Sequence, residues 1–136
     1  FDYLKPDAHP PGCDQTGLKL PIMFYDNCTA RPAECQGISV TGGYIYRGSN
    51  ADWAGKYIFG DWSKSFATRD GQIFVGTKGG DGKWSFETAD TGMAPNPYIL
   101  AFGQDNDGEV YALTSISTGP TGDSNQDTIY KVVPAQ

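Results

Sequence analysis

The sequence predicts an all-β chain, and three observations carry that prediction. Between residues 38 and 88, four short runs of β-branched and aromatic residues follow one another, each cut by Gly, Asn or Asp. From residue 98 to 133 the pattern begins again and stops after three runs. No apolar stripe of 3.6-residue period competes with either set. Sheets of four consecutive antiparallel strands, repeating every 40–50 residues or so, are the building unit of β-propellers. The expected fold is therefore a partial β-propeller: about two four-stranded antiparallel blades behind an irregular, Cys-containing N-terminal segment. Residues 1–37 form that segment with one edge strand, and 38–136 form two C-terminal blades. The first blade, 38–89, is complete. The second, 98–134, is a three-stranded closing blade that needs a fourth strand from elsewhere.

Taken in order, residues 1–20 are rich in Pro, Gly and Asp and read as irregular. They contain the single histidine, His9, in a Pro-rich stretch that suits a surface side chain. Residues 20–25 (Leu-Pro-Ile-Met-Phe-Tyr) are apolar enough for a strand, but Pro21 confines it to a strand start or an edge. A loop over 27–37 leads into the first blade. Its strands are expected over 38–47, 55–61, 71–77 and 83–88. Residues 48–55 and 61–70 are turn-rich connections, and 78–82 (Lys-Gly-Gly-Asp-Gly) is a tight hairpin. Pro95 and Pro97 make 90–97 a loop between blades. The second blade has strands over 98–103, 109–115 and 128–133, a hairpin at 104–108 and a long Gly/Ser/Thr/Asp loop over 116–127. The strand aromatics Tyr44, Tyr46, Tyr57, Phe59, Phe74, Trp84 and Phe102 are read as blade-packing residues.

Composition narrows the function. The 136 residues suffice for one domain. A formal charge of −6 argues against nucleic acid and anionic membrane surfaces as partners. No apolar run is long enough to insert into a bilayer, and no signal-peptide pattern is visible. The chain starts at Phe1 rather than Met, as a processed product or a piece of a longer chain does. Cys13, Cys28 and Cys35 lack Cys-x-x-Cys spacing and a nearby His pair, which argues against zinc. A disulfide between two of them is expected, since the loop around them has little core of its own, and an oxidising compartment with it. The third is then a free thiol or bonds outside the chain; three buried, reduced cysteines are the alternative. Asn27-Cys28-Thr29 matches the N-glycosylation acceptor pattern.

Residues 105–109 (Asp-Asn-Asp-Gly-Glu) have the start of a calcium loop. They lack the downstream bidentate Glu and run straight into a strand, so they read as a hairpin turn and no metal ligand is assigned. Asp61 and Asp70 flank Trp62 and Phe66. Carboxylates beside aromatics can bind sugar, which makes Asp61 and Trp62 substrate-binding candidates; acidic turns beside core aromatics are the commoner use of the same residues.

Several motifs resemble those of one family. Ser39-Val40-Thr41-Gly42-Gly43-Tyr44-Ile45-Tyr46-Arg47-Gly48 is similar to the S-V-x-G-G-Y-V-Y-R-G run of glucose/sorbosone dehydrogenases. Ala54-Gly55-Lys56-Tyr57-Ile58-Phe59-Gly60-Asp61-Trp62-Ser63 resembles their L-A-G-x-Y-x-F-G-D-W/F-S. Residues 102–114, Gly119-Pro120-Thr121-Gly122 and 129–134 resemble their closing motifs, in the same order. The likeness covers roughly residues 36–134. It implies the C-terminal part of a six-bladed propeller, secreted or periplasmic, whose active members oxidise aldoses or related sugars with pyrroloquinoline quinone and calcium. The remaining blades would come from residues or a chain not shown.

The resemblance also bears on sites. The family's catalytic His and calcium-binding backbone lie in earlier blades, so no catalytic residue is assigned here. Its quinone-binding members place a Lys in the loop after the F-G-D strand, which makes Lys64 the cofactor-binding candidate; a plain solvated Lys is the alternative. They also carry Arg-x-Arg before the first strand of the last blade, where this chain has Asn96-Pro97-Tyr98. Losing charged hydrogen bonds of about 1.5–3 kcal/mol each weakens quinone binding. An extracellular structural or binding module is therefore the second expectation, one that completes its sheets with other chains or self-assembles through open strand edges.

Overall fold

The computed structural model describes residues 16–19, 21–118 and 127–134. Cys13, His9 and most of the 116–127 loop lie outside these residues. Within them the chain is all-β. Seven strands form two open antiparallel sheets: β1 (Val40–Ile45), β2 (Tyr57–Asp61), β3 (Gln72–Lys78) and β4 (Trp84–Thr88) in order β1-β2-β3-β4, then β5 (Tyr98–Gln104), β6 (Val110–Ser115) and β7 (Asp127–Lys131) in order β5-β6-β7. Neither sheet closes into a barrel. The only helical turn among the described residues is a 3₁₀ turn at Ala51–Trp53, capped by the Asn50 side chain, which accepts from the Asp52 N–H at 3.0 Å.

The strands form where sequence pattern and turn chemistry agree. β2 and β3 pair without interruption from Tyr57↔Gly76 to Asp61↔Gln72, and their side chains alternate between two apolar faces. On one face Ile58, Ile73 and Val75 meet the second sheet. On the other, Phe59, Phe74 and Phe86 pack ring to ring, with centroids 5.1–5.7 Å apart. β1 carries a bulge between Thr41 and Tyr44. Gly43 sits there because a Cβ would run into the Ile58 carbonyl.

The sheets meet along β1 and β5 and diverge toward β4 and β7, as adjacent blades do. Thr41 Oγ1 donates to the Ile99 carbonyl (3.2 Å) and Gln104 Nε2 to the Ile45 carbonyl (2.8 Å), so β1 and β5 run parallel. Between the sheets lies the core: Tyr46, Ile58, Ile73, Val75, Ile99, Phe102, Val110 and Ala112. Toward the outside the wedge opens into a cleft of about 1360 Å³. The outermost strand β7 is exposed at all five residues.

The N-terminal segment departs from expectation in one respect. Residues 21–25 form no edge strand. They lie over the aromatic face of the first sheet, held by side chains rather than ladder bonds, with the Tyr25 ring 5.4 Å from Phe74 and 5.9 Å from Phe86. A strand lying across a sheet face has no edge groups to pair with, so the segment stays irregular. Beyond it, a Cys28–Cys35 disulfide closes the loop (S–S 2.08 Å), and a parallel bridge joins Asn27 to Gly37. The alternative of three reduced cysteines is thereby excluded.

Candidate functional site

Antiparallel order brings the start of β1, the β2–β3 loop and the β4–β5 connection to one end of the sheets. Asp61, the last residue of β2, lies there with Trp62 and Lys64 of the loop that follows it. What folds that loop is Asp61 itself. It is fully buried. Its Oδ1 accepts from the backbone N–H groups of Ile38 (3.0 Å), Ser39 (3.0 Å) and Ser63 (3.1 Å). Its Oδ2 accepts from the Tyr25 hydroxyl (2.6 Å) and again from Ser39 N–H (3.0 Å). One carboxylate thus ties the end of β2 to the start of the blade and to the N-terminal segment. Burial, and then the bond to Asp61, raises the Tyr25 hydroxyl pKa well above the ordinary tyrosine value.

Ser63, also buried, organises the next turn. Its Oγ donates to the Thr68 carbonyl (3.0 Å) and accepts from the N–H groups of Ser65 (3.3 Å) and Asp70 (3.0 Å). Lys64 N–H donates to the Asp70 carbonyl (3.1 Å). The loop is therefore fixed by internal bonds, and its outward side chains are presented by a rigid frame.

Those side chains are aromatic and cationic. The Trp62 ring stacks on Tyr98 from the start of β5, with centroids 4.6 Å apart and planes at 15°. Phe66 lies 5.7 Å from Trp62 and is 72% exposed. Lys64 is half-buried, and among the described residues its side chain makes no hydrogen bond or ion pair. Arg69, on the same loop, has a buried Nε without a partner among the described residues. The loop thus carries two aromatic rings, Trp62 and Phe66, and two cationic side chains, Lys64 and Arg69.

The candidates separate clearly. Lys64 and Trp62 are each partly exposed, Trp62 with one ring face against Tyr98. Asp61 gives both oxygens to internal donors and has no exposed surface, which leaves a sugar hydroxyl nothing to bond to. Asp70 accepts from Gln72 Nε2 (2.9 Å) and also serves the loop. The stretch Asn96-Pro97-Tyr98 supplies no cation: Asn96 Oδ1 accepts from Thr91 Oγ1 (2.7 Å) and Tyr98 lies under Trp62. Asn27, in its exposed loop, donates Nδ2 to the Ile38 carbonyl (2.9 Å) while its Oδ1 accepts from Thr29 N–H (2.8 Å).

A second polar centre, at the opposite end, was not legible as one. The 105–109 turn is a hairpin whose Asp105 Oδ1 accepts from the N–H groups of Asp107 (3.0 Å) and Glu109 (2.9 Å). Glu109 then reaches across to the first sheet. Its carboxylate accepts from Ser49 N–H (3.0 Å), Ser49 Oγ (2.7 Å) and the Tyr46 hydroxyl (2.9 Å), with Lys131 Nζ at 3.5 Å. The Ser49 and Tyr46 bonds, with the Lys131 charge, lower its pKa to about 2. Gly48 leaves room for it, since a Cβ there would stand 2.6 Å from the Glu109 carboxyl carbon. The signal available in sequence was the Gly48-Ser49 pair, where the absent Cβ and the small hydroxyl fit a neighbouring carboxylate.

No three His, Cys, Asp or Glu side chains among the described residues are grouped to hold a metal ion. No helix there is long and apolar enough to cross a membrane. No protein-family model matches the chain.

Proposed function

We propose that this chain is the C-terminal part of a secreted or periplasmic quinoprotein that oxidises aldoses or sorbosone-like sugars, and that its Trp62–Lys64 end forms one wall of the cofactor pocket. The observation that carries this reading is Lys64, whose ammonium has no partner among the described residues, on the hydrogen-bonded loop that also carries Trp62, stacked on Tyr98. The motif resemblance and the four-plus-three strand count support it.

Pyrroloquinoline quinone, a planar tricarboxylate, supplies the two-electron acceptor chemistry when bound. The residues present fit part of it. Lys64 suits a carboxylate, and the faces of Trp62 and Phe66 suit a flat ring and exclude water. Asp61 and Ser63 act as positioning residues that hold the loop. The rest of the fit is lacking among the described residues: 96–98 carries no guanidinium, and no three metal-ligating side chains are grouped for calcium. On this reading the base and the calcium ligands come from other blades of the propeller. The disulfide agrees with an oxidising compartment.

A second reading is a non-catalytic extracellular module that binds or assembles, and the exposed β7 edge favours it. Titration of the purified chain with the quinone, followed by tryptophan fluorescence, separates the two. The cofactor reading expects quenching, and an affinity about 10-fold weaker for Lys64→Gln, as loss of one charge-assisted bond implies. Equal affinity for both proteins, or no quenching, overturns it. Dye-linked sugar oxidation by this chain alone would remove the non-catalytic reading.

A further inference from the structure

The loop between β2 and β3 holds a cation that no internal contact uses. Arg69 is half-buried, and its Nε is buried without a hydrogen-bond partner among the described residues. Burying a donor of a charged group unpaired costs stability, and folded chains rarely do so without a use for the group. The two acids of this stretch are engaged elsewhere. Asp61 accepts five hydrogen bonds, from Tyr25, Ile38, Ser39 and Ser63. Asp70 turns Oδ1 to Gln72 Nε2 (2.9 Å). The ion pairs among the described residues are Arg31–Asp26, Lys83–Asp81 and Lys131–Glu109, and neither Arg69 nor Lys64 belongs to one.

Backbone bonds hold these two cations at one place. Lys64 N–H donates to the Asp70 carbonyl (3.1 Å) and Asp70 N–H to Ser63 Oγ (3.0 Å), so residues 64 and 70 close the neck of the loop. Lys64 stands on one side of that neck and Arg69 on the other. The same neck is pressed against the start of the second sheet. Ile99 N–H donates to the Trp62 carbonyl (3.2 Å), and a Cβ on Gly71 would run into the Pro97 carbonyl. Arg69, two residues before that contact, thus places a cationic residue beside the stretch 96–98, which has none of its own. Trp62 and Phe66 belong to the same loop, with ring centroids 5.7 Å apart.

We infer that Arg69 and Lys64 form one anion-binding pair, and that its ligand is a planar ring with at least two carboxylates, one for the ammonium and one for the guanidinium fork. The chemistry of the loop sets that class. A guanidinium binds a carboxylate through two parallel N–H bonds, and an ammonium binds one as a point charge. The rings of Trp62 and Phe66 suit a flat body between them and the cations. Both cations belong to one loop, so the pair does not depend on either sheet edge. The inference rests on the cofactor reading for the identity of the ligand and adds Arg69 to the residues that hold it.

The test is fluorescence titration of the purified chain with pyrroloquinoline quinone and with its uncharged trimethyl ester. Arg69→Gln is expected to weaken quinone binding about 10-fold, as loss of one charge-assisted bond implies. Arg69→Lys, which keeps the charge without the fork, should weaken it less. Lys64→Gln/Arg69→Gln should weaken it about 100-fold, since losses at separate carboxylates add. The ester has no carboxylate to offer and should bind the parent chain and Arg69→Gln alike. The Arg69 side chain makes no hydrogen bond among the described residues, so Arg69→Gln should melt at or above the parent temperature. Full quinone affinity in Arg69→Gln, with Lys64→Gln weakened, overturns the inference and leaves the cofactor reading standing. No quenching of the parent chain overturns both. A loss in Arg69→Gln that is equal for quinone and ester, with a lower Tm, shows that Arg69 only supports the loop and equally overturns the inference.

Discussion

Asp61 is the side chain on which the candidate loop rests, and replacing it in two ways tests that claim. Asp61→Ala leaves the Ser39 and Ser63 N–H groups and the Tyr25 hydroxyl without their acceptor, while the Ile38 N–H keeps only the Ser63 carbonyl. Hydrogen bonds to a charged group contribute about 1.5–3 kcal/mol each, and orphaned buried donors add a desolvation penalty. Water entering the space left by the carboxylate recovers part of this, so the net cost is about 4 kcal/mol. That is a large share of the roughly 5–15 kcal/mol that holds a domain folded. Asp61→Asn keeps the shape. Its remaining oxygen can still accept from the three N–H groups, and its new NH₂ can donate to the Tyr25 oxygen, which has lone pairs to spare. Charge assistance and the second Ser39 contact are lost, a cost of about 1–2 kcal/mol. At roughly 3–5 °C per kcal/mol for a chain of this size, Asp61→Ala should lower Tm by about 12–20 °C and Asp61→Asn by about 3–10 °C. Differential scanning calorimetry of both variants gives the ratio. The reasoning fails if Asn is as damaging as Ala, because then the geometry of the acceptor is not what matters. It fails equally if Ala costs less than about 1 kcal/mol, because then the five bonds contribute little.

Two further outcomes follow from the polar centres. The Glu109 carboxyl has a pKa lowered from 4.5 to about 2 in the folded chain, so the unfolded chain binds the proton more readily in acid. Its contribution to stability is therefore complete above about pH 4.5 and is lost as the pH falls from there toward 2. Thermal melts across that window should show a fall in Tm that Glu109→Gln reduces; an unchanged slope in the variant would refute the assignment. The Cys28–Cys35 bond closes a short loop, for which chain entropy predicts about 2.5 kcal/mol of stabilisation. Cys28→Ser/Cys35→Ser should melt earlier by about 8–12 °C, and a shift below about 2 °C would show that the Asn27–Gly37 bridge and Asp61 hold the segment without it.

Sequence by itself determined the repeating unit. β-Branched and aromatic runs cut by Gly and Asp specify short antiparallel strands through local preferences, so all seven strands fall within or close to the expected runs. The hairpin at 105–109 was legible for the same reason, because Asp105 caps its own turn. The partner of Cys28 was not, since spacing allows any pair among three cysteines; only the folded loop brings Cys28 and Cys35 together. Tertiary structure alone decided the roles of the carboxylates. Asp61 and Asp70 read alike in the chain, as acids beside aromatics, and what makes Asp61 a buried tie is the convergence of donors from residues 25, 38, 39 and 63. Glu109 gains its partners Tyr46 and Ser49 only when the second sheet packs on the first. Apart from the local Ser63 bond, such bonds span 22 to 63 residues, and no local pattern encodes them. The strands answer to neighbours within a few positions, which a sequence displays, whereas the polar centres answer to neighbours that only packing supplies.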